Sequence, residues 1–128
     1  MLANSHPFSG FSVKDQEQAK KFYGEALGLD VTETSMGLEL RTKGNNTIFI
    51  YEKENHEPAS FTILNFPVED IDKAVAELKD KGVVFEKYDF GGYGTDEHDI
   101  MRGKATNDGP DIAWFKDPSG NILSVLTD

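Results

Sequence analysis

One pattern of residues occurs twice in this chain, and it constrains the possible folds more than any other feature. In residues 13–28 and again in residues 68–82, a Val-x-Asp triplet opens an apolar stripe of helical spacing that a glycine ends. Aspartate is a preferred helix N-cap, and glycine is common just past a helix C-terminus. The pattern therefore predicts two helices, capped by Asp15 and Asp70, in two halves of a repeated design.

Runs of β-forming residues surround both predicted helices. One run leads into each helix, at residues 8–14 and 61–66. Three runs follow each helix, at 30–34, 37–42 and 47–51 in the first half and at 83–88, 111–115 and 122–126 in the second. Each half therefore reads βαβββ, and the fold class is α+β. We expect two modules, residues 1–56 and 57–128, that share one core because each is small to be stable alone.

The connections carry typical turn chemistry. Residues 43–46 (Lys-Gly-Asn-Asn) predict a hairpin turn, and residues 117–121 (Asp-Pro-Ser-Gly-Asn) predict a turn between the last two strands. Residues 89–110 hold much of the glycine and predict a long loop with a short strand. Because long loops in compact domains often cover binding sites, we expect a lid at the Gly-Gly-Tyr-Gly run of residues 91–94.

Composition excludes several classes of function. The 128 residues include 23 acidic and 13 basic side chains, for a net charge of −10. Nucleic acid and anionic membranes are therefore unfavourable partners, whereas a neutral or cationic small molecule is easier to attract. There are no cysteines, which removes disulfides and thiolate chemistry. No secretory signal or membrane-spanning run is visible, and we expect a cytoplasmic protein.

The two βαβββ units, each opening with Val-x-Asp before a helix, resemble the vicinal oxygen chelate (VOC) superfamily. This superfamily includes glyoxalase I, bleomycin-resistance and fosfomycin-resistance proteins, and extradiol dioxygenases. The similarity extends over essentially the whole chain, and its strongest motifs are residues 13–28 and the Phe-Lys-Asp-Pro-Ser-Gly-Asn run of residues 115–121. The resemblance implies one VOC domain whose paired modules form a curled mixed sheet around a cleft. It also implies a homodimer.

The resemblance further implies where metal ligands would stand, and this sequence lacks suitable side chains there. The positions on the first strands of the modules are Phe8 and Ile63, and those on the last strands are Ser124 and a residue near Ile50. Phenylalanine and isoleucine have no donor atom, and serine is a poor ligand for a divalent ion. We therefore predict no metal, no cofactor and no catalytic residue, and a binding protein rather than an enzyme. A glyoxalase-like lyase, isomerase or dioxygenase with a displaced metal site stays open as the alternative, as does a protein that binds only another chain.

Strand alternation selects the residues that we expect to line the cleft. The predicted lining, for a small aromatic or cationic organic molecule, is Phe8, Ile50, Phe61, Ile63, Asn65, Trp114 and Ser124. Thr62, Leu64 and Phe66 are expected on the opposite face, under the helices. Burial in the core is the competing interpretation for the aromatic side chains. The Asn65 amide needs a hydrogen-bond partner, which either a ligand or a cross-strand group supplies.

Overall fold

The computed structural model describes residues 1–44 and 47–127. The chain divides into two compact units, Met1–Glu57 and Pro58–Asp128. Each unit has a four-stranded mixed sheet and one main helix, in the βαβββ order that the repeat predicts. Asn45 and Asn46 of the predicted hairpin turn lie outside the described residues.

The first unit opens with a short 3₁₀ turn, Leu2–Asn4, ahead of its repeated elements. These elements are β1 (Ser9–Val13), α1 (Gln16–Lys21), β2 (Asp30–Glu33), β3 (Leu38–Arg41) and β4 (Thr47–Glu52). The strands lie in the order β1-β4-β3-β2, with β1 parallel to β4 and the other pairs antiparallel. A π-helical turn, Phe22–Ala26, continues α1.

The second unit repeats this arrangement. Its elements are β5 (Thr62–Pro67), α2 (Ile71–Asp80), β6 (Met101–Arg102), α3 (Gly103–Thr106), β7 (Asp111–Lys116) and β8 (Ile122–Thr127). The strand order is β5-β8-β7-β6, with β5 parallel to β8 and the other pairs antiparallel. Corresponding strands therefore occupy corresponding places in the two sheets, and the α+β class with two βαβββ modules is confirmed.

The helices begin and end where the repeat predicts. The side chains of Asp15 and Asp70 each accept a hydrogen bond from a backbone amide of the first helical turn, at 3.0 Å and 3.1 Å. Each cap satisfies an amide that has no partner within its helix. Gly28 and Gly82 follow with φ of +70° and +91°, which favours glycine over other residues. Within the described part of the chain, no helix is both long and apolar enough to cross a membrane.

One face of each sheet packs under the helix of its own unit. In the first unit, the Phe11 ring contacts the Tyr23 ring, with 6.0 Å between their centroids. The fully buried side chains on the same face of that sheet are Val13, Leu38, Leu40 and Ile50. In the second unit, α2 contacts β7 and β8. The buried side chains there are Ile71, Val75, Ala113, Phe115, Leu123 and Val125. Each fully buried Val, Leu, Ile or Phe side chain contributes about 1.5–3 kcal/mol relative to exposure.

The prediction of a strand over residues 83–88 is wrong. Two short segments pair with β7 where this strand was expected. Phe85 forms a single antiparallel bridge with one end of β7, and the two-residue β6 pairs with the other end. Residues 87–100 leave the sheet between these points, because their backbone groups bond within their own turns. The Thr95 amide, for example, donates to the Tyr88 carbonyl at 3.0 Å. The sequence pattern does not predict α3 either.

Candidate functional site

Three strands of the second unit bring three predicted lining residues into one row. Asn65 on β5 is the register partner of Ser124 on β8, which is in turn the partner of Trp114 on β7. Register partners on neighbouring strands project from the same face of a sheet. The alternate residues of β7 and β8 are the ones buried with α2. The row Asn65–Ser124–Trp114 therefore lies on the face of this sheet that α2 does not cover.

A β-bulge adds a residue to this face that alternation alone misses. The register shifts between Thr62 and Leu64, so Thr62 pairs with Ile122 and projects from the same face as Asn65. An extra residue in one strand reverses the alternation beyond it. The prediction that Thr62 packs under the helix is therefore wrong, whereas Leu64 keeps the predicted orientation.

The Trp114 indole crosses the row. Its Nε1–H donates to Thr62 Oγ1 at 3.2 Å, although β8 lies between the strands that carry these two residues. Because neighbouring strands are about 4.8 Å apart, the indole has to extend over β8 to reach Thr62. The Trp114 side chain is half-buried, and Ser124, on the strand it crosses, is fully buried. The hydrogen bond thus holds a large aromatic surface in a fixed position on this face.

Three more aromatic rings continue from Trp114 into the loop that leaves the sheet. The ring centroids are 5.3 Å apart for Trp114 and Tyr88, 5.7 Å for Tyr88 and Phe90, and 5.4 Å for Phe90 and Tyr93. These distances lie in the range at which aromatic pairs attract. Phe90 and Tyr93 are exposed. Burial, and then the charge of Glu86, raise the pKa of Tyr88, so its hydroxyl stays protonated at neutral pH.

Asn65 and Ser124 form the polar part of the row. The Ser124 hydroxyl donates to Asn65 Oδ1 at 2.5 Å. Ser124 is fully buried, whereas Asn65 is exposed. The sequence leaves either a ligand or a cross-strand group as the partner of the Asn65 amide. The structure shows a cross-strand partner, Ser124, for the amide oxygen.

Ion pairs join one end of the loop of residues 87–100, called the aromatic loop below, to α2. The buried carboxylate of Asp99 contacts Lys87 in the loop and Lys79 on α2, the latter at 3.0 Å. Burial by itself raises the pKa of Asp99, but the hydrogen bonds from Lys87 and Lys79 outweigh it. The pKa of Asp99 therefore lies below its ordinary value.

A second ion-pair group holds the other end of this loop. Arg102 on β6 donates to both carboxylate oxygens of Asp72 on α2, at 2.7 Å and 3.0 Å, and to Asp96 at 2.9 Å. The hydrogen bond from Arg102 lowers the pKa of Asp72. Burial raises the pKa of Asp96, but the hydrogen bonds from the Ile100 amide and from Arg102 outweigh it. The pKa of Asp96 therefore also lies below its ordinary value. Both ends of the loop are thus tied to α2, while its exposed rings lie in between.

The first unit does not place Ile50 where the sequence predicts it. Ile50 is fully buried, and its register partners Phe11 and Leu38 lie on the helix-covered face. The prediction that Ile50 lines a cleft is wrong, because the alternation along β4 runs one residue out of phase with it. The uncovered face of β4 carries Phe49 and Tyr51 instead, whose rings stack with centroids 5.9 Å apart.

The remaining predicted residues lie outside the row. Phe8 and Phe61 precede the first strand of their respective units and are 69% and 67% exposed. Ile63 occupies the bulge of β5 and is half-buried. A role for these three residues in ligand binding stays a prediction.

A protein-family model covers nearly the whole chain. The model of the Glyoxalase/Bleomycin resistance protein/Dioxygenase superfamily matches residues 6–125. The chain belongs to this superfamily. The resemblance drawn from residues 13–28 and 115–121 is thereby confirmed.

Individual relatives of this superfamily protein are distant in sequence. The uncharacterized protein YraH of Bacillus subtilis is 27% identical, over 88% of this chain and 90% of YraH. The antibiotic binding protein TnmS3 of Streptomyces sp. CB03234 has a TM-score of 0.64 at 24% identity, over 97% of each chain. The fosfomycin resistance protein FosX of Listeria monocytogenes has a TM-score of 0.67 at 12% identity, over 98% of this chain and 93% of FosX. The two solved structures show that the fold is shared.

The positions that the resemblance assigns to metal ligands carry few donor atoms. The side chains of Phe8 and Ile63 have only carbon atoms, and Ser124 has a hydroxyl, a weak ligand for a divalent ion. Within residues 1–44 and 47–127, no three His, Asp or Glu side chains come close enough together to hold a metal ion. The chemistry of the row is instead aromatic and amide-like.

Proposed function

We propose that this protein binds a small, partly aromatic organic molecule against the Trp114 indole, without a metal ion and without chemical turnover. The observation that carries the proposal is the position of the indole, which lies across β8 and is held at its far edge by Thr62. Stacking on an aromatic ring contributes about 0.5–1.5 kcal/mol beyond the burial of apolar area. Asn65 adds a polar group beside this surface, and Tyr88 adds a second ring.

Charge and fold support the same class of ligand. The net charge of −10 favours a neutral or cationic molecule over an anionic one. TnmS3, an antibiotic binding protein, has the same fold, so a binding role is compatible with it. A curled sheet around a cleft, a homodimer and a cytoplasmic location complete the proposal.

The test is a screen of planar aromatic compounds that differ in charge, read by thermal unfolding and by tryptophan fluorescence. A ligand at 100 times its Kd stabilises the protein by about 2.7 kcal/mol. We expect neutral or cationic members of the panel to stabilise the wild type and to change the emission of its single tryptophan. Trp114→Phe should weaken binding, whereas Val84→Ala, at an exposed position of the same unit, should not. Stabilisation that Trp114→Phe leaves intact would place the ligand elsewhere.

A displaced metal site in a glyoxalase-like lyase, isomerase or dioxygenase is the competing function. Elemental analysis of protein purified without chelator or affinity tag separates the two. Under our proposal, zinc, nickel, manganese and iron stay far below one atom per chain, and EDTA leaves ligand affinity unchanged. A stoichiometric metal would favour the enzyme.

A further inference from the structure

The site contains one polar group whose direction is fixed by a neighbour. A carboxamide has an acceptor oxygen and an NH₂ group with two donors. The oxygen of Asn65 accepts from the buried hydroxyl of Ser124 at 2.5 Å. No partner for the Asn65 NH₂ group occurs among residues 1–44 and 47–127. Asn65 is exposed, so its NH₂ group is the part that a bound molecule meets.

We propose that this site selects aromatic molecules that carry a hydrogen-bond acceptor, such as an aryl ketone oxygen, and that Asn65 is the residue that recognises the acceptor. The inference rests on the proposed function, because Trp114 has to hold the aromatic part of the molecule. The indole of Trp114 crosses β8 and reaches Thr62 on β5, the strand that also carries Asn65. An aromatic molecule that lies against the indole therefore brings an acceptor substituent close to Asn65.

The Ser124 hydroxyl determines that Asn65 presents its NH₂ group, and not its oxygen, to a ligand. If the carboxamide were free to rotate, it could present either its oxygen or its NH₂ group to a ligand. It would then bind ligands that carry a donor as well as ligands that carry an acceptor. After rotation the Ser124 oxygen could accept from the NH₂ group, but its buried O–H would lose the Asn65 oxygen as its acceptor, which is unfavourable. Ser124 is therefore a positioning residue, and Asn65 is the residue that contacts the ligand.

The test uses two probes of nearly the same shape, 2-acetylnaphthalene and 2-ethylnaphthalene, which differ by a carbonyl oxygen. Equilibrium dialysis should show that wild-type protein binds the ketone about fivefold more tightly, the effect of one neutral hydrogen bond. Asn65→Asp keeps the shape and the bond from Ser124 but replaces the donor with an anionic oxygen. This variant should lose the preference for the ketone while it keeps its affinity for 2-ethylnaphthalene.

Ser124→Ala provides an independent second variant. It leaves Asn65 in place but frees its amide to rotate, so the preference for the ketone should fall while 2-ethylnaphthalene binding is retained. Circular dichroism checks that each variant is folded. Equal affinity of the wild type for both probes would overturn the inference and leave the proposed function standing. An unchanged ketone preference in Asn65→Asp would also overturn it. If neither probe binds the wild type, the proposed function fails as well.

Discussion

At the scale of single residues, the position of Trp114 depends on one hydrogen bond between non-neighbouring strands. Thr62 Oγ1 is the acceptor for the indole N–H, and it is on the right face only because of the bulge in β5. A bulge has no reliable signature in a single sequence, which is why alternation assigned Thr62 to the wrong face. Asn65 follows the bulge, in the part of β5 where regular pairing resumes, and Ser124 and Trp114 lie on strands that pair without a bulge. Simple alternation therefore holds around these three residues.

Thr62→Val tests this hydrogen bond, because valine has nearly the same shape and no acceptor. We expect a loss of about 1 kcal/mol of unfolding free energy and greater mobility of the indole, since its N–H loses its partner. Urea unfolding and tryptophan fluorescence anisotropy measure the two effects. Thr32→Val, at an exposed position of the first unit, is the matched control. Unchanged anisotropy in Thr62→Val would mean that other contacts fix the indole.

At the scale of elements, the two helices are defined by their caps. The Val-x-Asp triplets predicted both helix starts because capping is local chemistry. The segment after α2 was not predictable in the same way. Residues 83–88 have strand-like composition, yet the ion pairs that fix the following loop join it to α2, and such long-range contacts leave no periodic pattern.

The caps should contribute measurably to stability. Asp15→Ala and Asp70→Ala each remove the acceptor for a first-turn amide and should lower the unfolding free energy by about 1 kcal/mol in urea titrations. Asp80→Ala, at the C-terminal end of α2, is the control. A negative charge there opposes the helix dipole, so this variant should be neutral or slightly stabilised. A cap variant as stable as the wild type would contradict the prediction.

The ion pairs of the aromatic loop should make stability depend on pH in the acid range. The pKa of Asp99 is lowered in the folded state, so its contribution is present above the ordinary carboxyl pKa of 3.8 and is lost as the pH falls through the folded value. Asp99→Asn should therefore be less stable than the wild type at pH 7, and the two should converge well below pH 4. Urea titrations from pH 7 to pH 2.5 measure this. Asp108→Asn, an exposed carboxyl in the same unit, should follow the wild type throughout. Parallel curves for Asp99→Asn and wild type would show that Asp99 contributes no such pH dependence.

At the scale of the whole molecule, the repeat predicts more than any single motif does. Two copies of one local design gave the order of strands and helices in both units, because each βαβββ unit follows from short-range signals. The repeat does not determine which face of a sheet each residue of a strand occupies. Ile50 shows this, since a shift of one residue along β4 exchanges the covered and uncovered faces.

The homodimer is a prediction at this scale. A second copy can cover the sheet edges and apolar surfaces that a small protein leaves open, and the resemblance to the VOC superfamily implies a dimer. Multi-angle light scattering at high micromolar concentration should therefore give twice the chain mass of 14.2 kDa. A single species of 14.2 kDa at that concentration would contradict the prediction.

The most direct test of the central claim is a nuclear magnetic resonance titration of ¹⁵N-labelled protein with 2-acetylnaphthalene. The chain has one tryptophan, so its indole N–H gives one cross-peak that reports on Trp114 alone. If a planar aromatic molecule binds against this ring, that cross-peak shifts progressively and saturates with the Kd found by dialysis. If the indole cross-peak stays in place while other resonances shift, or if no resonance moves up to the solubility limit of the probe, the Trp114 surface is not the binding site.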